Sequence, residues 1–495
     1  MVRTNASRRQ RLAHDFLAIA CLGFVGLIAS GYLVPLFIRG TYKFQIMYNE
    51  GWNVYHAEEV AQGRQLYARP SPYSAVIYPP LSFHVIAATS RFVGDPLFAG
   101  RLVSAISLLV SAGLLGSVVF VMVRSWAAGV FGGLLLLVLL ARFAPDYIAS
   151  DDPQLLGTGL LLLGLLVFVS TSSTAGTSAS AAIVGTALFV KHSIIVFPLA
   201  ITLVLVASNR KRFAVWAAAI GGTVLFWAGF CRVVHGPNFF DSLLSPRMFE
   251  NFRAPVSFMI LLNAIQIPFA VAIVWLLVDG TARWRPLLAA AFGVAMAYGL
   301  YISRGDGAWV NHWFDLIIVV SITSAVAWER AEAYWSGAGW PRRWILALFP
   351  ILLTLGAAAQ EVLPRGIVEL SSQRQDWALM ESRFADDVAY ERMHAGPAIC
   401  EDLSLCAFAG KALEYDPFGA RERILKDAAA ATPIIQDLQR HRFQTVQMDA
   451  SPAEVITGAD RALFPEQFMR PLLANYHIDR RTRERAFFVP DSGAR

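Results

Sequence analysis

Long apolar runs alternate with short polar loops through roughly the first 360 residues of this chain, and the runs have about the length that crosses a bilayer. They predict spans near residues 16–37, 100–123 and 127–140, and a fourth opening at Pro153. Further spans follow near 214–230, 256–278, 287–302, 313–328 and 344–358. Between these groups the pattern is ambiguous. "STSSTAGTSAS" is low-complexity and reads as a flexible loop. Residues 181–207 read either as one long helix or as two short ones broken around "VKHS".

Charge separates the two readings. A single helix would put "SNRKRF" on the same side as the first large loop, "MYNEGW". Two helices bring Arg210, Lys211 and Arg212 to the side of the basic N-terminus, "MVRTNASRRQRLAH". Arginine and lysine collect in cytoplasmic loops, which favours two helices and about eleven spans. Arg3, Arg8, Arg9, Arg11, Arg124, Arg283, Arg285, Arg330, Arg342 and Arg343 then share the cytoplasmic side. No small-residue cleavage site follows the first apolar run, so it reads as a retained span.

Past about Glu361 the periodicity changes, and charges occur throughout. "GPAIC" and "FQTVQM" read as short strands, and "RERILKDAAAATPIIQDLQRH" as an amphipathic helix. The expected fold class is a mainly α, polytopic membrane protein. Its domains are residues 1–360, transmembrane, and 361–495, a small α/β domain that an odd span count places outside the cytoplasm. Cys400 and Cys406, in "ICEDLSLCAF", read either as a disulfide in an oxidising compartment or as two buried thiols.

Composition agrees with the pattern. Of the 495 residues 56% are hydrophobic and only 16% charged, against about a quarter charged in soluble domains. The net charge of +6 lies largely in short loops. It therefore speaks for topology control and against nucleic-acid binding.

Unusual residues gather on the predicted external face. Glu50, Glu58, Glu59 and Asp95 are in the first loop, and Asp146, Asp151 and Asp152 in the second. Lys191 and His192 mark the helix break. His235, Asp241, Arg247, Arg304, Asp306, Asn311, His312 and Asp315 come later. Ionisable groups at the edge of the hydrocarbon are costly and point to function. Plainer readings stand beside that one. Asn49 suits a helix N-cap, and Asp152-Pro153 suits an N-cap followed by proline at the first helical position. Lys191 suits a snorkelling anchor, and Tyr78-Pro79-Pro80 a turn. The histidine spacing matches no metal motif, so no cofactor is expected and a divalent metal is not indicated.

The order of these motifs resembles the GT-C glycosyltransferases. "NEGWNVYHAEEVAQGRQLY" is similar to their first external loop, and "YPPLSFHVIAATSRFVGDPLFAGRLVSAIS" to the segment after it. "ASDDPQLLG" resembles their second acidic loop, "FVKHSIIVFPLA" their lysine-bearing break, and "GDGAWVNHWFDL" a late-loop pattern of bacterial members. The nearest resemblance is to bacterial family-39-like enzymes, relatives of protein O-mannosyltransferases and lipid A aminoarabinose transferases. It implies transfer of a sugar from a polyprenyl-phosphate donor to a glycan, lipid or protein acceptor at the outer face of a bacterial cytoplasmic membrane.

The resemblance also implies an Asp-Glu pair, with the Asp as base, where this chain has Asn49-Glu50. Asn accepts no proton at neutral pH, so the base is expected at Glu50 first, then at Asp152 or Asp151. A lipid-phosphate leaving group needs cations, for which Lys191, Arg101 and Arg304 are candidates. Tyr55, His56, Tyr78, Asn311 and His312 are the candidate substrate contacts. Two other readings stay open: a glycolipid transporter or flippase, and a non-catalytic glycolipid-binding relative in which the Asn49 substitution has cost the activity.

Overall fold

A computed structural model describes residues 2–67, 73, 76–245, 247–335, 346–357, 369–449 and 463–491, the first fourteen of them as backbone only. The first helix, α1 (Val2–Arg39), leads through a loop to α2 (Asn49–Ala61) and α3 (Leu81–Val93). There follow α4 (Pro96–Val123), α5 (Trp126–Phe143), α6 (Gln154–Ser170), α7 (Thr174–Ala187), α8 (Val196–Ser208) and α9 (Arg210–Phe230). Then come α10 (Phe239–Leu243), α11 (Arg253–Val278), α12 (Arg285–Ile302), α13 (Phe314–Trp335) and α14 (Phe349–Ala357). Among the described residues seven helical stretches are long and apolar enough to cross a membrane, and α3, α6 and α8 are shorter apolar helices. The chain is a multi-pass membrane protein.

Small residues decide how closely these helices pack. A Cβ at Gly129 would stand 2.7 Å from the Gly116 carbonyl oxygen, and one at Gly133 2.6 Å from that of Ala112. The backbones of α4 and α5 therefore touch, as in membrane bundles where small residues replace the hydrophobic drive. The same effect corrects one expectation. Of the "STSSTAGTSAS" stretch only Thr171–Ser173 form a connector; from Thr174 it is the start of α7, capped by Ser173, whose hydroxyl accepts from Gly176 N. Its small side chains let it lie against α6, where Ser180 Oγ donates to the Gly164 carbonyl at 2.7 Å. Residues 181–207 form two helices, α7 and α8, with the break at Leu188–Ile195.

The remaining elements build an α/β unit. After α15 (Leu370–Met393) come β1 (Ala398–Cys400), α16 (Leu403–Phe408), α17 (Pro417–Lys426), α18 (Thr432–Gln439), β2 (Thr445–Met448), α19 (Glu466–Asn475), β3 (Tyr476–Arg481) and β4 (Ala486–Pro490). The sheet order is β1-β2-β4-β3. β1 pairs parallel to β2, with Ile399 opposite Val446, and the other pairs are antiparallel. The amphipathic helix expected over 421–441 is divided into α17 and α18. Asp427 caps a short 3-10 turn between them, and Pro433 opens the second helix. Cys400 and Cys406 are joined in a disulfide. The domain boundary expected near Glu361 lies outside the described residues.

One apolar core fills the helical bundle, and another fills the α/β unit. A third is shared: Trp52, Tyr55 and Phe83 of the membrane part pack in one cluster with Phe384, Leu403, Leu405 and Phe487 of the α/β unit.

Candidate functional site

The loop between α1 and α2 is organised by an arginine. Arg101, on α4, reaches into the turn after α1 and donates to the carbonyls of Gly40 at 3.2 Å and Phe44 at 2.6 Å, and to that of Tyr42. Its remaining N–H groups form a two-point pair with Glu50, Nε to Oε1 at 2.7 Å and Nη2 to Oε2 at 2.8 Å. Glu50 also accepts from Ile46 N and Asp151 N. Both side chains are buried, Glu50 at 0% and Arg101 at 2% exposure. The first-ranked base and one of the three phosphate cations are thus placed together in the interior, each satisfied by protein groups.

One helical position away, Asn49 is not a cap. Residue 48 precedes the helix, and no side chain caps its start. The Asn49 amide instead donates to Asp152 Oδ2 at 3.1 Å and lies 3.5 Å from Tyr78 Oη. Asp152 Oδ1 accepts from Gln154 N at 2.7 Å, at the start of α6, and from Lys191 Nζ at 3.1 Å. The capping role expected for Asp152 and its place in a polar cluster are therefore compatible. Lys191 reaches the cluster because α7 stops at Ala187, and it lies over the Tyr78 ring at 5.0 Å. With its amide oxygen turned toward the ammonium, Asn311 accepts from Lys191 Nζ at 2.9 Å and donates to Tyr147 Oη at 3.1 Å. Loops 49, 78, 147–154 and 311 and the break at 191 thus converge on one carboxylate and one ammonium.

Asp151 is turned the other way. Its carboxyl packs against Gly100, where a Cβ would stand 2.6 Å from Oδ2 and nearer still to the other carboxyl atoms. Neither oxygen has a hydrogen-bond partner among the described residues. Burial, with Glu50 and Asp152 nearby and Arg101 opposing, pushes this carboxyl well above the usual range. Its main-chain carbonyl accepts from Asn53 Nδ2. The Asp151 carboxyl is packed inside the loop and pushed toward its protonated form, while the Asp152 carboxyl faces the cluster.

The other candidates disperse. Tyr55 Oη donates to the Lys411 carbonyl at 2.9 Å, toward the α/β unit. His56 is buried against Trp52 and Phe83, and burial holds its imidazole down at about 3. His312 Nε2 lies 3.2 Å from Ser257 Oγ. Arg304 donates to Asn251 Oδ1 at 3.2 Å and stacks on Tyr301. Among the described residues no group of three or more His, Cys, Asp or Glu is arranged to hold a metal ion.

Gln154 and Tyr147 were not among the candidates, and Arg247 stood in the sequence only as one of the unusual ionisable residues, with no role assigned. Gln154 directly follows "SDDP" and so was legible as part of that loop; Tyr147 gave no signal. Arg247 has no hydrogen bond or ion pair among the described residues. Its charge acts on His192, the neighbour of Lys191; burial first, then Arg247 and Lys191, hold that imidazole down at about 4. Arg247 also lines a small cleft with Ile77, Ser245, Asp416, Phe418, Glu422 and Arg423. Leu244, Phe249 and Phe252, close by in sequence, are exposed apolar groups. Two lining residues are linked to the cluster: Ile77 precedes Tyr78, and Asp416 accepts from Oη of Tyr48, the neighbour of Asn49, at 2.8 Å.

No family model matches the sequence, and no curated protein sequence is detectably similar to it. Solved structures are similar in fold. ArnT from Cupriavidus metallidurans, a lipid A aminoarabinose transferase, superimposes with a TM-score of 0.60 in its apo state, over 95% of this chain and 98% of ArnT at 16% identity. Its complex with undecaprenyl phosphate gives 0.58 at the same identity and coverage. The archaeal oligosaccharyltransferase AglB from Archaeoglobus fulgidus, in complex with an inhibitory peptide and a dolichol-phosphate, gives 0.55 at 10% identity, over 88% of this chain and 69% of AglB. Both are GT-C superfamily membrane glycosyltransferases, and this chain has their fold.

Proposed function

We propose that this chain is a glycosyltransferase that moves a sugar from a polyprenyl-phosphate donor to a hydroxyl of a glycan, lipid or protein acceptor. The observation that carries the reading is the convergence of Asn49, Asp152, Lys191 and Asn311 at the mouth of the bundle, beside a cleft with an unpaired arginine. The known ligands of the fold relatives, undecaprenyl phosphate for ArnT and dolichol-phosphate for AglB, support the donor class.

Asp152 is the base in this reading, in place of Glu50. Glu50 is saturated by Arg101 and backbone N–H groups, and Asp151 is neutral and turned inward. Asp152 Oδ2 accepts only from Asn49 and retains capacity for an incoming hydroxyl proton. The acceptor oxygen attacks the anomeric carbon, its proton passes to Asp152, and the bond from that carbon to the phosphate oxygen breaks. The electron pair leaves on the phosphate. One direct displacement inverts the anomeric centre.

The departing phosphate needs a cation that the protein has not already neutralised. Arg101 is fully engaged, and Arg304 lies outside the cluster. Arg247 is unpaired, and the apolar Leu244, Phe249 and Phe252 beside it suit a lipid-borne anion. Lys191 supports the charge from the other side while orienting Asp152. Tyr78 and Asn311 remain substrate contacts; Tyr55, His56 and His312 are structural.

The donor set does not suit a divalent metal, because Lys191 Nζ stands 3.1 Å from the Asp152 carboxylate and the second carboxylate of the loop faces Gly100. The cluster and the α/β unit are assigned to the extracytoplasmic side of a bacterial cytoplasmic membrane, a reading that the arginine distribution supports. A phosphatase fused after Pro490 should be active, and a fluorescent protein that matures only in the cytoplasm should stay dark there. The reaction itself is tested by incubating purified protein with a polyprenyl-phosphate sugar and an acceptor extract. Free polyprenyl phosphate and sugar-labelled acceptor should appear together. Movement of intact donor across vesicles without release of polyprenyl phosphate would make the chain a flippase.

A further inference from the structure

The helix that carries Asn49 has two faces with different partners. Asn49 and Asn53, one turn apart, point to the acidic loop: Asn49 to Asp152, and Asn53 to the Asp151 carbonyl. The opposite side, from Tyr48 at the N-cap through Gly51 to Tyr55, meets the α/β unit at intervals of three to four residues, the spacing of one helical face; Gln45, in the preceding loop, adds a further contact.

The contacts are specific. Ser404 Oγ donates to Gln45 Oε1 at 3.0 Å. Tyr48 Oη donates to Asp416 Oδ1 at 2.8 Å and accepts from Phe418 N at 3.1 Å, so donor and acceptor capacity are both used. Tyr55 Oη donates to the Lys411 carbonyl. At Gly51 the two backbones touch. A Cβ there would lie 2.8 Å from Leu403 Cβ and closer still to the Ser404 amide, so only glycine lets α16 approach α2. Trp52 and Tyr55 share an apolar cluster with Leu403, Leu405 and Cys406. The clamp is itself braced: the Cys400–Cys406 disulfide ties α16 to the end of β1. Gly307, between α12 and α13, lets the Phe418 ring rest on it, and Asp306 pairs with Arg421 of α17.

We infer that the α/β unit is the positioning frame of the catalytic loop: α16 and the start of α17 grip α2 through Tyr48, Gly51 and Tyr55, so that Asn49 meets Asp152. Tyr48 and Gly51 are positioning residues that touch no substrate. The inference rests on the proposed reaction only for its kinetic consequence, since the grip itself is a property of the fold.

Two variants test it. Tyr48→Phe removes one hydroxyl and leaves the ring; Gly51→Ala forces α2 and α16 apart. Full-length protein is purified in detergent, checked for monodispersity and followed by amide hydrogen exchange and, separately, by transfer kinetics per folded molecule. Exchange over 49–61 should accelerate at least tenfold in both variants, while the strands at 445–448 and 486–490 keep their wild-type rates. Turnover per folded molecule should fall about tenfold with the donor KM unchanged; counting only folded molecules excludes a simple loss of folded protein. Unchanged exchange over 49–61 in both variants overturns the inference, and so does faster exchange with full turnover per folded molecule. If the wild type transfers no sugar, the exchange arm still decides on the grip, and only the proposed reaction fails.

Discussion

Lys191 and Asp152 form a buried ion pair, Nζ to Oδ1 at 3.1 Å, across 39 positions of sequence. The break between α7 and α8 makes this contact possible, and Asn311 holds the ammonium from a third element. Lys191→Met keeps the length and removes the charge. A charge-assisted hydrogen bond is worth roughly 1.5–3 kcal/mol, so transfer should drop on the order of tenfold to a hundredfold in a normally inserted protein. Steady-state kinetics checks this, and unchanged rates would reduce Lys191 to an anchor.

Glu50 and Arg101 should behave as structure. Removing one partner of a buried pair strands the other charge and costs about 3–5 kcal/mol. Glu50→Gln and Arg101→Met should therefore lower the melting temperature in detergent sharply and reduce yield. A stable Glu50→Gln protein with slow turnover would return Glu50 to the role of base.

Asp151→Asn replaces a neutral carboxyl with a neutral amide of the same shape. Turnover should stay within about threefold of wild type, a small change on the scale of a base deletion. Its effect on stability carries a sign. The folded state raises the Asp151 pKa, so its favourable contribution is complete below the ordinary carboxylate range and is lost as pH rises toward the shifted value. Wild-type thermal stability should fall relative to Asp151→Asn as pH is raised. A wild type that gains on the variant with rising pH would contradict the assignment of a neutral carboxyl.

Arg247 and Arg304 differ in their partners: among the described residues Arg247 has no hydrogen bond or ion pair, whereas Arg304 donates to Asn251. Arg247→Gln should raise the donor KM on the order of tenfold or more, in line with loss of a charge-assisted contact. Arg304→Gln should leave it unchanged. Titration with polyprenyl phosphate as a competitive inhibitor measures the same difference independently of the acceptor.

Much of this was legible in the sequence, and the misses share a cause. Hydrophobic runs and arginine placement reveal spans because burial in lipid is a property of each segment alone. The break at Lys191 and the acidic loop at Asp152 were visible for the same reason. Which carboxylate does what was not visible. Glu50, Asp151 and Asp152 look alike as letters, and only the long-range partner Arg101, the packing of Asp151 on Gly100 and the reach of Asn49 tell them apart. Arg247 was hidden because an unpaired charge is defined by what surrounds it. The serine- and threonine-rich start of α7 was misread because polarity suggested a loop, whereas small size suited a close helix contact.

The most direct test concerns Asp152. Asp152→Asn preserves the cap on α6, since Asn caps about as well as Asp, and removes the proton acceptor. Wild type and variant are compared for transfer of labelled sugar from a polyprenyl-phosphate donor, with donor affinity measured in parallel. Turnover should fall by roughly 10²–10⁴ with donor affinity little changed; an Asp152→Asn enzyme that transfers at the wild-type rate would contradict the assignment of this carboxylate as the base.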